Sequence, residues 1–201
     1  MHIFVLGDES LQEEFKKKPL AAEIQVTYKD RLPESGITGI DAYFILKDDI
    51  KAEELKKINN IDVFFASTIT TLKEQQLPSN FHRINGWQGF LVRDNWEIAT
   101  NNEAAVTKIF DSIGWKFIPV SDEPGLVSAR IISMIVNEAY YALGEKVSTK
   151  EEIDIAMKLG TNYPYGPFEW SKLIGLQNIY DLLDKLSKTD SRYIVASALK
   201  S

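Results

Sequence analysis

Two histidines and no cysteine bound the chemistry open to this chain. An imidazole is the side chain whose ordinary pKa lies near neutrality, so a histidine general base has two candidates, His2 and His82. Two histidines are too few for a histidine-rich metal site, and no metal is expected. The lack of cysteine excludes disulfides, thiolate metal sites and a cysteine nucleophile. It also fits a reducing compartment, so a cytoplasmic protein is expected. His2 opens an apolar run and reads as structural. His82 stands before the run Ile84 to Val92 and reads as a loop residue.

The elements that must position such groups come from the hydrophobic pattern. Residues 2–6 form an apolar, β-prone run that stops at Gly7-Asp8, a buried strand. Leu11–Phe15 and the Lys16–Lys18 run read as an exposed helix. Ile24–Tyr28, Ala42–Leu46 and Ile61–Ala66 read as strands, with a loop over 30–39 (Pro33, Gly36, Gly39) and a helix over 50–58 between them. Strand–helix alternation of this kind predicts a parallel sheet covered by helices. Ile84–Val92 and Trp96–Ala99 read as two more strands around a polar turn at Arg93-Asp94-Asn95. Asn102 caps a predicted helix with Val106, Ile109, Phe110 and Ile113 on one face, and Gly114 ends it. Lys116–Val120 is a last strand, in which Pro119 argues against a central place because it lacks a ladder N–H.

After Asp122-Glu123-Pro124-Gly125 the period turns helical and stays so. Ile132, Ile135, Ala139 and Leu143 share a face, and Gly144 closes that helix. Ser148 and Glu151 stand at capping-box spacing before a helix that runs to Leu159, with Gly160 at its end. Asn162–Pro167 reads as a rigid turn. Two helices follow, the last with Leu176, Ile179, Leu183 and Leu186 on a stripe. At about 100–200 residues per domain, 201 residues allow two: an α/β domain over 1–122 and a helical one over 123–201. Hydrophobic residues are 44% and charged residues 26%, an ordinary globular balance. The net charge of −6 argues against binding a nucleic-acid backbone. No apolar run approaches the ~18 residues of a membrane span, and the opening run is too short for a signal segment.

The words of the C-terminal half occur in one order: Asp122–Val127, Asn137-Glu138-Ala139, Glu152–Met157, Gly160, Pro164–Glu169 and Ile174-Gly175-Leu176. Together they resemble the C-terminal domain of 3-hydroxyacyl-CoA dehydrogenases. The N-terminal half resembles the same family's Rossmann domain less closely. Val63–Leu72 is similar to its Phe-Ala-Ser-Asn-Thr-Ser-Ser-Leu segment, Arg83–Gly86 to the entry to its catalytic His, and Trp96-Glu97 to the end of the strand that carries its catalytic Glu. The resemblance implies a reduced Rossmann-like parallel sheet followed by an all-α dehydrogenase-type domain. It further implies NAD as cofactor, an acyl-CoA substrate, and a homodimer formed through the helical domain.

Carried over residue by residue, the resemblance puts Gln88 at the position of the His base and Glu97 at that of the orienting Glu. It puts Thr70 at a substrate-side Ser and Ala129 at a substrate-binding Asn. A carboxamide does not titrate, although it can hydrogen-bond a hydroxyl or carbonyl. The dinucleotide loop becomes Gly7-Asp8-Glu9-Ser10-Leu11-Gln12, which keeps the first glycine of Gly-x-Gly-x-x-Gly. Asp30, about 23 residues past Gly7, has the spacing of a ribose-binding acid. About ten residues join the second strand to Asp41, too few for the helix–strand unit and helical hairpin of that family. Three functions follow from this pattern. The favoured one is a degenerate member, without NAD binding or the His, that binds acyl-CoA or dimerises. The others are an active NAD-dependent oxidoreductase with unusual site residues, and a structural or regulatory dimerisation partner.

Overall fold

The computed structural model describes residues 1–32, 38–56, 58 and 60–200, without the side chain of Ala52. Its chain divides into two compact units, Met1–Leu126 and Val127–Ser201.

The first unit is a seven-stranded sheet. Its strands are β1 (His2–Leu6), β2 (Gln25–Lys29), β3 (Ala42–Ile45), β4 (Asp62–Ala66), β5 (Phe81–Ile84), β6 (Asn95–Ala99) and β7 (Lys116–Pro119). They lie in the order β2-β1-β3-β4-β5-β6-β7. All neighbours pair in parallel except β5 with β6. Its helices are α1 (Glu9–Lys16), α2 (Ala52–Leu55), α3 (Leu72–Gln75) and α4 (Glu103–Ile113). Strands such as β1 and β3 are buried on both faces, which is why they read as unbroken apolar runs. One face packs Ile3, Val5, Phe44, Phe64, Trp96 and Ile98 under Phe15 of α1 and Phe110 of α4. Phe44 stacks on Phe64 at 4.8 Å, and Trp96 and Trp115 meet at 5.0 Å. The other face packs Phe4, Leu6, Tyr43, Ile45, Phe65 and Phe81 with Leu55 and Leu72. The edge strand β7 accommodates Pro119, because the Val120 N–H is the one that donates to the Ile98 carbonyl, which leaves the nitrogen of Pro119 on the open edge.

Several expectations need correction. The run 84–92 is not a strand: β5 ends at Ile84 and residues 87–92 turn. The backbone N–H groups of Trp87, Gly89 and Leu91 go to the side chains of Asn85 and Glu14, so no ladder can claim them. His82 is in β5 and fully buried, not in a loop. The α1 region is not simply exposed, since Glu14, Phe15 and Lys18 are buried. Helix α2 is shorter than 50–58, and Lys57 and Asn59 lie outside the described residues, as do Pro33 and Gly36 of the predicted loop. Helix α3 was not expected, yet Thr71 and Glu74 form its capping box and are legible in the sequence.

The second unit holds α5 (Ser128–Gly144), α6 (Lys150–Thr161), α7 (Pro167–Ile174) and α8 (Leu176–Ser187), with short 3-10 turns at Ser191–Tyr193 and Ser197–Leu199. The capping box of α6 is Thr149 with Glu152, one residue past the expected pair. The helix continues through Gly160 and ends on Asn162, at φ 56°. The Asp154 carboxylate accepts the Phe168 N–H at 2.8 Å and so caps α7 from α6. A Cβ on Gly166 would lie 2.5 Å or less from that carboxylate, which explains the glycine. Asn137 grips the C-terminal segment, donating to the Ile194 carbonyl at 2.8 Å and accepting from the Ala196 N–H at 2.9 Å. The words that mark the helical half are thus the hydrogen bonds and close approaches that hold its helices together.

Candidate functional site

The parallel strands β1, β3, β4 and β5 end on one edge, where Leu6 registers with Ile45 and Ala66 with Ile84. The chain leaves β1 toward β2 on one side and continues through β3 on the other, so this edge includes a topological switch point, the usual ligand crevice of open α/β sheets. Gly7 turns from β1 into α1. A Cβ there would lie 3.3 Å from Leu11 and 3.4 Å from Leu46, so the small residue allows close helix–strand packing. Asp8 caps α1 by accepting the Leu11 N–H at 3.0 Å, and Glu9 stands exposed in the first turn. The Gln12 amide donates to the carbonyls of Gly7 at 2.7 Å and Lys29 at 2.9 Å. Asp30, just past β2, is exposed beside Arg31 at 3.7 Å.

The turn after β5 supplies the second wall. Gly86 is forced by crowding, because a Cβ there would meet the Ala66 Cβ at 2.2 Å. Asn85 is buried and accepts from the Trp87 N–H at 3.1 Å and the Thr68 hydroxyl at 3.3 Å. Gln88 donates to the Ser10 hydroxyl on α1 at 2.9 Å. Beneath it the carboxylate of Glu14, itself buried, accepts the N–H groups of Gly89 and Leu91 at 2.9 Å. The Trp87 indole N–H is buried with no hydrogen-bond partner among the described residues.

Three of the sequence words converge on one buried cation. Arg83 has no exposed side-chain surface and pairs with Asp122 at 2.9 Å. It also donates to the Thr70 carbonyl at 3.3 Å and to the Glu123 carbonyl. Asp122 in turn accepts the N–H groups of Leu72 and Lys73, at 3.1 and 3.2 Å. The Gly125 N–H closes the knot on the Thr68 carbonyl at 2.7 Å. Thr70 therefore contributes its carbonyl to the fold, and its half-buried side chain stands at the same edge.

The titratable groups fall elsewhere than a base would be needed. His82 bonds Asp62 through Nε2 at 3.0 Å and the Thr100 hydroxyl through Nδ1 at 2.7 Å, with its ring against Phe64. Burial pushes its pKa down, against the hydrogen bond and charge of Asp62. His82 sits inside the sheet, two residues before the end of β5. His2 bonds the Thr27 hydroxyl at 2.8 Å. Glu97 is on β6, and continuing the β5–β6 register sets it opposite Asn85. Burial lowers the pKa of Arg93, and the charge of Glu97 opposes that shift. Ala129 belongs to the second unit, fully buried on α5. Gly7, Gln88, Thr70 and Glu97 thus share one edge of the first unit, and Asp30 follows the adjacent end of β2. Sequence reasoning missed Glu14, whose burial within a charged stretch has no local signature, and the Arg83–Asp122 pair. Among the described residues no group of three His, Asp or Glu side chains is placed to hold a metal ion.

Comparison with known proteins gives this geometry a context. Residues 125–200 match the family model described as 3-hydroxyacyl-CoA dehydrogenase, C-terminal domain. The chain is 37% identical over 107 residues to the 3-hydroxyadipyl-CoA dehydrogenase of Escherichia coli (strain K12), covering 51% of this chain and 22% of that protein. Over 100 residues it is 37% identical to a probable 3-hydroxybutyryl-CoA dehydrogenase of Bacillus subtilis (strain 168), covering 48% of this chain and 35% of that one. The matched stretch thus spans between about a fifth and a third of these curated relatives. The crystal structure of (S)-3-hydroxybutyryl-CoA dehydrogenase from Ralstonia eutropha has the same fold. Its TM-score is 0.72 at 21% identity, covering 99% of this chain and 92% of that chain.

Proposed function

Residues 125–200 match the C-terminal domain of 3-hydroxyacyl-CoA dehydrogenases, and we propose that the chain is a member of that family without the dehydrogenase reaction, an acyl-CoA-binding pseudoenzyme. Oxidation of a secondary alcohol sends a hydride to the nicotinamide and a proton to a base tuned near neutral pH. One observation carries the proposal: the residue at the position of that base is Gln88, an amide tied to Ser10. Neither histidine replaces it, because His82 is enclosed in the sheet and His2 opens β1. At the switch point the residues present do not fit a nicotinamide dinucleotide. The α1 N-terminus already holds the Asp8 carboxylate, with Glu9 beside it. An anionic pyrophosphate at a helix N-terminus needs free N–H groups and no competing acid.

What remains is a helical unit with the family's packing words intact and a sheet edge that carries the half-buried Thr70 and Gln88. These side chains can hydrogen-bond a thioester or hydroxyl group without reacting with it. The test is a thermal shift of the whole chain with acetoacetyl-CoA alone. A rise in melting temperature without any dinucleotide is expected, because a ligand that binds the folded state stabilises it by mass action. No shift at millimolar ligand contradicts acyl-CoA binding.

A second function, dimerisation, is favoured by apolar surface on the helical unit. Ile155 and Leu159, one helical turn apart on α6, are 55% and 83% exposed, and Val147 is 69% exposed. Light scattering of the whole chain is expected to give twice its mass; a monomer at high micromolar concentration contradicts it. A cytoplasmic setting is part of the proposal, and the lack of cysteine fits it; no helix among the described residues is long and apolar enough to cross a membrane.

A further inference from the structure

Resting on the family assignment above, we infer that the dinucleotide crevice of the sheet unit is sealed by the chain's own side chains, in two closures that together convert a cofactor site into a structural latch. The first closure lies at the start of α1. A phosphate-cradling loop needs glycines so that the backbone can approach the pyrophosphate and the helix can sit close to the strand. Here the last position of that run is Gln12. Its amide bridges the carbonyls of Gly7 and Lys29, so the side chain lies across the ends of β1 and β2. The middle position is Glu9, a carboxylate in the first turn, next to the capping Asp8. The Asp8 carboxylate thus takes an α1 N–H that a phosphate would use, Glu9 adds a second negative charge beside it, and the Gln12 side chain fills the space across the strand ends.

The second closure links this helix to the turn after β5. Gln88 reaches Ser10, 78 residues away in the chain, at 2.9 Å. Glu14 is 6% exposed and holds the N–H groups of Gly89 and Leu91. Gly89 takes a φ of 91°, a conformation that favours glycine and turns its N–H toward the carboxylate. Backbone N–H groups that converge in a turn bind an anion, and here those of Gly89 and Leu91 converge on Glu14 while the Phe90 N–H between them goes to the Trp87 carbonyl. A charge-assisted bond to a buried carboxylate is among the stronger hydrogen bonds, so the strap is held rather than resting loosely on the helix.

The sealed crevice is tested by binding and by exchange, both independent of turnover. Wild-type protein is expected to show no thermal shift with NADH at millimolar concentration. The variant E9G/Q12G, which removes the acid and the bridging amide, is expected to bind NADH at least about tenfold more tightly than wild type, read as a stabilising shift against its own ligand-free form. In wild-type protein the amides of Gly89 and Leu91 are expected to be protected from hydrogen exchange, and E14A, which removes the acceptor, should release them. NADH binding by the wild type overturns the inference. So does fast exchange at both amides of the wild type, a result that does not depend on whether E9G/Q12G folds. A folded E9G/Q12G that gains nothing also overturns it. NADH binding by wild type without turnover would sink the seal and leave the pseudoenzyme assignment standing, whereas turnover would sink both.

Discussion

Replacing Asp122 with Ala should destabilise the sheet unit by about 3 kcal/mol, the lower end of the cost of stripping one partner from a buried ion pair. The Arg83 side chain has no exposed surface and the Asp122 side chain is 25% exposed, so water can compensate the loss only in part. The lost carboxylate also leaves the Leu72 and Lys73 N–H groups without their cap. Urea unfolding reads the effect through Trp87, Trp96 and Trp115 of the first unit, in a Trp170→Phe background that silences the second. At a slope of about 2 kcal/mol per molar urea, the midpoint should fall by about 1.5 M. Arg83→Met in the same background should cost less than Asp122→Ala, since an apolar side chain of similar length leaves no buried charge. The double variant should be more stable than the sum of the two losses predicts. A midpoint shift below about 0.3 M for Asp122→Ala, or strict additivity, would refute the idea that this pair organises the edge.

Gly86→Ala should cost about 3 kcal/mol, at the top of the usual overpacking range, because its Cβ would meet the Ala66 Cβ at 2.2 Å; calorimetry of the sheet unit's transition measures it. Gly166→Ala and Asp154→Ala should each destabilise the helical unit by about 1–3 kcal/mol, and the two losses should not add, because both act on the cap of α7. The pH dependence has a definite sign. The folded pKa of His82 lies below its ordinary 6.5, so the unfolded chain binds a proton that the folded chain refuses. The stability from neutral His82 is complete above pH 6.5 and is lost as pH falls below that toward the folded pKa. Urea midpoints from pH 8 to pH 5 should show this fall, and His82→Asn should flatten it.

The fold was legible where packing is local and periodic. The runs at 2–6, 42–46 and 61–66 are strands because both faces of a parallel sheet are apolar, and no other element gives that pattern so briefly. Asn102 and Gly114 bracket α4 as their cap chemistry requires. The apolar residues of 84–92 suit a strand, but the shape of that stretch is set by Glu14, some 75 residues away. His82 looked like a loop residue for a similar reason: its partners Asp62 and Thr100 lie on neighbouring segments, and a sequence does not show a histidine satisfied from both sides. The positions of Gln88, Glu97 and Thr70 at one edge could be read by resemblance. The tie from Gln88 to Ser10 could not, because it depends on where α1 crosses the sheet.

The central claim, that the family scaffold is kept without its reaction, is tested most directly by mixing the whole chain with acetoacetyl-CoA and NADH and following NADH oxidation. No turnover above the protein-free rate is predicted, for the wild type and for Glu97→Ala alike. Turnover by the wild type that is abolished by Glu97→Ala would contradict the claim.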